Sequence, residues 1–223
     1  MSDSDKNMVD KCKLYLISPP HFELDEFKLQ LTEAFSGGEI SVFQLRMKSK
    51  DDSGYYVDPP NWNDVENIAL ELMPICHANN CVFIINDNAQ LAAKINADGV
   101  HVGSDDLSVA EAREIMGEGK YIGVSCYGSK DLAYKAAEHG ADYVAFGAFY
   151  DTQTKKPKGR PEPELLEFWS TYTNMPCVAI GGIKTNNAKP LIDAGADFIS
   201  VVTGVWDYEK GVRQAVLDFN KLF

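Results

Sequence analysis

Long apolar runs and an excess of positive charge are both missing from this chain of 223 residues. No apolar run approaches the ~20 residues of a membrane span, so we expect no transmembrane helix. The 21 Lys and Arg residues are outnumbered by 33 Asp and Glu residues, which gives a net charge of −12. Nucleic acids and anionic membranes both require a cationic face, so we expect neither as a partner. A small anionic substrate stays compatible with the composition, because a local cluster of Lys and Arg can override the overall charge.

Paired or metal-binding cysteines are also missing. The five cysteines are odd in number and have no CxxC or Cys/His zinc spacing. They are therefore expected to be buried free thiols in a reducing cytoplasm. The first ten residues are polar and acidic, unlike a signal or transit peptide. We predict a cytoplasmic protein with a flexible tail at residues 1–12 and a single domain at 13–223; the oligomeric state stays open, a homo-oligomer included.

Short apolar runs alternate with helical patterns along the whole chain. The runs predicted as strands are 13–18, 40–45, 82–85, 100–102, 121–125, 143–146, 177–180 and 198–202. The helices are predicted at about 24–35 and 63–78, after Asp87, after the capping box Ser108-x-x-Glu111, and at about 129–139, 164–171, 186–194 and 209–222. Residues 49–61 are predicted to be a polar surface loop. Eight strands alternating with eight helices predict a (β/α)8 TIM barrel in the α/β class. A doubly wound sheet is the alternative, because a sequence does not show ring closure.

One short pattern recurs three times and supports the barrel. Residues 96–98, 140–142 and 195–197 read Asn-Ala-Asp, Gly-Ala-Asp and Gly-Ala-Asp. Each copy follows a helical pattern and precedes an apolar run. The first residue suits a left-handed helix C-terminus, and the next two suit a tight turn into a strand. Three copies of one turn indicate three copies of one helix-to-strand step.

In a barrel, the loops that follow the strands carry the function. Asp87 and the pair Asp105-Asp106 follow neighbouring strands and could share one hard cation. Arg46 and Lys48 follow another strand, and these cations can bind phosphate oxygens. A Thr/Lys loop at 152–155 is a second candidate clamp. The Gly181-Gly182 and Thr203-Gly204 pairs follow the seventh and eighth strands, where barrels commonly bind a phosphate.

Each of these features also has a purely structural explanation. A Gly-Gly pair is often only a turn, and lone Arg or Lys residues are usually solvated. Asp87 could be a helix N-cap, and Asp105-Asp106 could only favour a helix N-terminus. We expect a structural role for His101, inside the fourth strand. Cys126 has no adjacent base that would mark it as a nucleophile. A phosphate loop, a cationic clamp and paired acids occur together on one rim. This joint occurrence favours a functional site over separate structural roles.

Six motifs along residues 13–223 resemble the thiamine-phosphate synthase family. They are Gln44-Leu45-Arg46-x-Lys48, Ile85-Asn86-Asp87, Asp98-Gly99-Val100-His101-Val102-Gly103, Gly123-Val124-Ser125, Phe146-Gly147 with Thr152-x-Thr154-Lys155, and Ile180-Gly181-Gly182-Ile183. The resemblance implies that hydroxymethylpyrimidine diphosphate and hydroxyethylthiazole phosphate condense to thiamine phosphate and pyrophosphate. It implies a dissociative reaction, in which the diphosphate leaves before the thiazole nitrogen attacks. Such a reaction depends on stabilising a departing anion.

The resemblance also implies residue roles, by matching positions. Asp87 and Asp106 match the family's Mg²⁺ ligands, so Mg²⁺ is the expected cofactor. The diphosphate contacts, which are also the expected catalytic residues, are Arg46, Lys48, Ser125 and Lys155. Gln44 and Asn86 match positions against the pyrimidine. The positions around the thiazole phosphate are Thr152, Thr154, Gly182, Val202 and Thr203.

The chain departs from the family at four places. An acid is usual where Met47 stands, Gln-Glu-Asp is usual at 104–106, a His is common at Tyr127, and a Pro is common at Asp151. Three alternatives stay open: a thiazole tautomerase or another phosphate-binding barrel enzyme with the same fold, or a non-catalytic binder of thiamine precursors, which the departures at Met47 and Ser104 keep open. The tautomerase relies on a His at about Tyr127, which disfavours it. No departure removes a predicted metal or diphosphate residue, so the synthase is preferred.

Overall fold

Eight parallel strands form a closed barrel in the computed structural model, which describes residues 12–50, 56–57, 59, 61–103, 107–152 and 159–223. The barrel strands are β1 (Lys13–Ile17), β2 (Val42–Leu45), β5 (Val82–Asn86), β6 (Gly99–Val102), β7 (Tyr121–Tyr127), β8 (Tyr143–Phe146), β9 (Cys177–Ile180) and β10 (Phe198–Val201). Strand β1 pairs with both β2 and β10, which closes the ring. The predicted TIM barrel is therefore confirmed, and the doubly wound alternative is wrong.

Helices follow the strands and cover the outside of the barrel. Their bounds are α1 (Leu24–Phe35), α2 (Trp62–Ala78), α3 (Ala89–Lys94), α4 (Val109–Met116), α5 (Lys130–Glu138), α6 (Glu164–Tyr172), α7 (Lys189–Asp193), α8 (Thr203–Trp206) and α9 (Val212–Asn220). The predicted capping box forms at α4, where Ser108 and Glu111 bond each other's backbone N–H groups. Within the described residues, no helix is long and apolar enough to cross a membrane.

Strand periodicity divides the side chains into two apolar clusters. Successive strand residues point to opposite faces, so alternate residues face the barrel interior. A small inner cluster contains Tyr15, Ile17, Tyr143, Ala145 and Val178. The much larger outer cluster packs the other strand face against the helices and includes Leu14, Phe43, Phe83, Val144 and Trp169. The main core therefore lies between barrel and helices, and the interior of the barrel has room for polar side chains.

The three repeated turns share a conformation and a hydrogen-bond pattern. Their first residues, Asn96, Gly140 and Gly195, have φ of 56°, 88° and 92°, as the left-handed prediction requires. The aspartates then bond the preceding strand twice. Asp197 donates its N–H to the carbonyl of Cys177 (3.1 Å) and accepts the N–H of the same residue on Oδ2 (2.8 Å). Asp98 and Asp142 bond Phe83 and Ile122 in the same way.

Some predicted boundaries were wrong. The 49–61 loop contains a short antiparallel pair, β3 (Ser49–Lys50) with β4 (Tyr56–Val57), because two-residue strands leave no readable periodicity. The last predicted helix, 209–222, corresponds to α9, which begins only after Gly211 at φ 84°. The short helix α8 comes before it and was not predicted. Residues 1–11 of the predicted tail lie outside the described residues. Cys12 is buried, so it belongs to the barrel rather than to the tail.

Candidate active site

Strand periodicity brings four polar side chains together in the upper interior of the barrel. Gln44, Asn86 and Ser125 each lie two or four residues after a residue that faces the interior. His101 reaches the interior as well, because its ring contacts Tyr143 of the inner cluster. Gln44 is 2% exposed and Asn86 is 8% exposed. Asn86 is paired in register with His101 on the neighbouring strand. Gln44, Asn86 and the predicted diphosphate residue Ser125 are therefore near one another at one end of the barrel.

Gln44 has an unusual hydrogen-bonding state. Its Nε2 atom is buried and has no hydrogen-bond partner among the described residues. A buried amide donor without a partner costs about 1–3 kcal/mol, and native proteins seldom leave one without a functional reason. Ser200 Oγ, which sequence reasoning missed, is the other such atom in the described part of the chain. Gln44 Nε2 is therefore available to a ligand acceptor.

A predicted diphosphate residue and a predicted metal ligand form an ion pair on the rim. Lys48 Nζ lies 2.7 Å from Asp87 Oδ2, and the two side chains are 10% and 20% exposed. Asp87 adopts φ 63°, and its N–H donates to the His101 carbonyl (2.8 Å). A left-handed conformation at a non-glycine residue is found preferentially at functional sites. The backbone after β5 thus bends to hold the carboxylate beside β6.

His101 connects Ser125 to the barrel interior. Its Nε2 lies 2.9 Å from Ser125 Oγ, and its Nδ1 lies 3.1 Å from the hydroxyl of Tyr143. We expected a structural role for His101, but its side chain contacts a predicted catalytic residue. The signal in the sequence was periodicity: Ser125 lies two residues beyond Gly123, which is paired with His101 in register. Strand pairing was not readable from the sequence, so the contact was missed.

A cavity of about 510 Å³ lies where the loops after β8, β9 and β10 meet. Three residues predicted to surround the thiazole phosphate, Thr152, Gly182 and Thr203, line it together. Gly182 has φ 64°, and a Cβ there would lie 2.3 Å from the Asp151 carbonyl oxygen, so only glycine fits. Lys184 and Lys210 also line this cavity and were not singled out from the sequence.

The remaining predicted residues divide into two groups. Arg46 follows β2, and its backbone N–H donates to Ser18 Oγ (2.9 Å). Val202 packs against the inner cluster. Asp106, Thr154 and Lys155 lie outside the described residues. Within the described part of the chain, no group of three or more His, Cys, Asp or Glu side chains could hold a metal. Asp87 does offer the oxygen donor that a hard cation prefers.

The cysteines match their expected structural role. All five are free and buried. Burial raises the pKa of the Cys126 thiol to about 12. A thiol with so high a pKa holds almost no thiolate near neutral pH, so Cys126 is no nucleophile.

Comparisons with known proteins agree on one family. A family model described as thiamine monophosphate synthase matches residues 14–205. A thiamine-phosphate synthase of Rhodospirillum centenum is 43% identical over 211 residues, covering 95% of this chain and 97% of the relative. One of Erythrobacter litoralis is 44% identical over 211 residues and covers 93% of each chain. The solved structure of a thiamine phosphate pyrophosphorylase from Pyrococcus furiosus superposes with a TM-score of 0.78 at 28% identity, covering 96% of each chain.

Proposed function

The chain belongs to the thiamine monophosphate synthase family, and we propose that it joins hydroxymethylpyrimidine diphosphate to hydroxyethylthiazole phosphate, releasing pyrophosphate and thiamine phosphate. The observation that carries the proposal is the similarity over nearly the whole chain, at 43% identity to a thiamine-phosphate synthase. This similarity extends along the chain and is not confined to one isolated motif.

The diphosphate is proposed to bind beside Arg46, Lys48 and Ser125. Lys48 is mostly buried, so its charge is less screened by solvent than that of a surface lysine. The overall charge of −12 would repel a diphosphate, so attraction has to come from such local cations. Arg46 can offer a bidentate pair of donors, and the Ser125 hydroxyl can offer one more. Lys155 and Thr154 are proposed to add contacts from the loop after β8.

The pyrimidine is proposed to lie against Gln44 and Asn86. The unpartnered Nε2 of Gln44 supports this contact, because a ring nitrogen would satisfy a donor that is otherwise buried without an acceptor. The thiazole phosphate is proposed to lie in the 510 Å³ cavity against Thr152, Gly182 and Thr203, with Val202 beside the ring. The absence of a side chain at Gly182 supports close approach of a phosphate to the backbone.

Mg²⁺ is the proposed cofactor, held by Asp87 and Asp106. The rim carboxylate of Asp87 has the oxygen chemistry that fits this ion. When bound, Mg²⁺ would neutralise charge on the diphosphate. Lys48 and Arg46 stabilise the departing anion, which is what a dissociative reaction requires. We also propose a cytoplasmic location, supported by five free thiols.

The test is a turnover assay with both precursors, with and without Mg²⁺, that detects thiamine phosphate and pyrophosphate. Mg²⁺-dependent formation of both products is the expected result. Tight binding of either precursor without turnover would instead indicate a non-catalytic binder. A tautomerase would convert the thiazole precursor without the pyrimidine diphosphate, and Tyr127 stands where that enzyme needs a His.

A further inference from the structure

Four side chains form a continuous hydrogen-bonded chain through the interior of the barrel. Tyr15 Oη lies 2.9 Å from Tyr143 Oη, Tyr143 Oη lies 3.1 Å from His101 Nδ1, and His101 Nε2 lies 2.9 Å from Ser125 Oγ. Both tyrosines are buried, at 3% and 8% exposure. The chain begins in the inner apolar cluster and ends at the rim.

A missing side chain makes this arrangement possible. His101, Gly123 and Tyr143 occupy equivalent register positions on the adjacent strands β6, β7 and β8. The ring of Tyr143 crosses over Gly123 to reach the imidazole, and a Cβ at Gly123 would lie 2.0 Å from Tyr143 Cζ. The ring centroids of Tyr143 and His101 are 5.6 Å apart. Glycine at position 123 therefore sets the contact between Tyr143 and His101.

The buried phenols fix the direction of the hydrogen bonds. Burial raises the pKa of Tyr15 and of Tyr143, so both keep their hydrogens. Tyr143 is the one hydrogen-bond partner of the Tyr15 hydroxyl among the described residues, so Tyr15 donates to Tyr143. The opposite direction would leave the Tyr15 hydrogen buried without an acceptor, which is costly. Tyr143 accepts from Tyr15, and its own hydrogen then points to His101 Nδ1.

The direction of these bonds has a consequence at the rim. Nδ1 accepts from Tyr143, so the ring hydrogen of the neutral imidazole is on Nε2. Nε2–H then donates to Ser125 Oγ, and the serine hydrogen is left to point elsewhere. A diphosphate bound in the proposed site would offer an oxygen to accept that hydrogen.

We propose that His101 is a positioning residue, held by Tyr143 as the Nε2–H tautomer so that Ser125 presents its hydroxyl hydrogen to the departing diphosphate. This inference rests on the proposed function for the identity of the acceptor. The tautomer and its cause do not depend on that function. Ser125 is the catalytic residue, and Tyr15, Tyr143 and His101 act through it.

The first test is ¹⁵N NMR of the imidazole nitrogens in the substrate-free protein, with His101 assigned by comparison with His101→Gln. The expected result is a hydrogen on Nε2 and none on Nδ1 at neutral pH. Tyr143→Phe keeps the ring but removes the hydrogen-bond donor to Nδ1. In this variant the ring hydrogen should no longer be confined to Nε2. A hydrogen on Nδ1 in the unsubstituted protein would overturn the proposal, whatever the enzyme does.

The second test separates positioning from simple stabilisation. Tyr143→Phe should lower kcat about tenfold, equivalent to about 1.4 kcal/mol of lost transition-state stabilisation, and leave the KM for the thiazole phosphate unchanged. Tyr134→Phe, a half-exposed tyrosine on α5, is the matched control. His101→Gln places an amide donor near the position of Nε2 and should keep more activity than His101→Asn, whose amide lies near Nδ1. Equal losses in the Gln and Asn variants would contradict the proposal.

These outcomes are distinguishable from failure of the proposed function. If the unsubstituted protein forms no thiamine phosphate, the function is wrong, and the NMR result still decides the tautomer. If it turns over normally and Tyr143→Phe loses only thermal stability, the positioning role is wrong and the function stands.

Discussion

Lys48 and Asp87 form one ion pair, with 2.7 Å between Nζ and Oδ2, although the resemblance assigns them to different ligands. Lys48 is expected to hold the diphosphate, and Asp87 the metal. A cation approaching Asp87 must therefore share the carboxylate with Lys48 or displace it. Binding of diphosphate would give Lys48 an alternative anion and release the carboxylate, so diphosphate and metal are expected to bind more tightly together than separately.

Substitution of Asp87 tests this relationship directly. Asp87→Ala should abolish Mg²⁺-dependent turnover and leave the fold intact, because it removes a rim ligand and no core group. Asp87→Asn is the sharper variant, since Asn tolerates the left-handed backbone and lacks only the charge. Turnover assays and thermal unfolding measure the two effects. Asp193→Ala, which removes an exposed carboxylate paired with Lys189 on α7, is the control. Normal activity of either Asp87 variant would contradict the assignment of Asp87 as a Mg²⁺ ligand.

Substitution of Arg46 tests the cationic clamp. Arg46→Ala should weaken binding of the pyrimidine diphosphate more than binding of the thiazole phosphate, because Arg46 follows β2 and does not line the 510 Å³ cavity proposed for the thiazole phosphate. The Arg46 N–H bond to Ser18 is made by the backbone and survives the substitution. Isothermal titration with each precursor separately measures the difference. Equal weakening of both would mean that the clamp has been assigned to the wrong ligand.

Gly123→Ala tests the crossing of Tyr143 over β7. The added methyl would lie 2.0 Å from Tyr143 Cζ, so the ring must move away from His101. We expect a loss of about 1–3 kcal/mol in the free energy of unfolding, as for other overpacked cores. Chemical denaturation measures it. Gly128→Ala is a matched control on the same side of the barrel, because its nearest neighbour would be 3.6 Å away. Equal stability of the two variants would show that the ring has space to move.

Asp197→Ala tests the repeated turn. The Cys177 N–H would lose its carboxylate acceptor at the start of β9. An unsatisfied backbone donor costs about 1–3 kcal/mol, and we expect destabilisation in that range. Asp197→Asn retains a carbonyl acceptor and should cost less. Unfolding curves of the two variants give the comparison, and equal losses would assign the effect to charge instead of the hydrogen bond.

Alkylation of the cysteines tests their burial. Burial raises the pKa of Cys12, Cys126 and Cys177 to about 12, well above the ~8.5 of a free thiol. Raising the pH from 7 to 9 therefore ionises these three thiols in the unfolded chain but hardly at all in the folded protein. We expect slow labelling by iodoacetamide in buffer and rapid labelling in denaturant at both pH values, measured by mass spectrometry. Fast native labelling of Cys126 would contradict the assignment as a structural thiol.

The sequence alone determined the alternation of eight strands with helices and the location of the functional rim, and the structure showed that the strands close into a ring. Apolar runs of three to six residues separated by helical patterns are local signals. The three turns that begin with Asn96, Gly140 and Gly195 are local signals too. The left-handed conformations at these positions follow from residue type. The motifs around Gln44, Asn86 and Gly182 likewise predicted the interior and the rim, since each stands at the carboxyl end of an apolar run.

Contacts between distant segments were decided only by the tertiary structure. Nothing local indicates that Lys48 faces Asp87, or that the Tyr15 hydroxyl meets that of Tyr143, 128 residues away. We expected a structural role for His101 from the sequence. In the structure, its side chain bonds Ser125 on β7 and Tyr143 on β8. Periodicity assigns a side chain to one face of a strand, but register between strands decides which side chains meet. Register is a property of the closed sheet, so the hydrogen-bonded chain through the barrel could be found only in three dimensions.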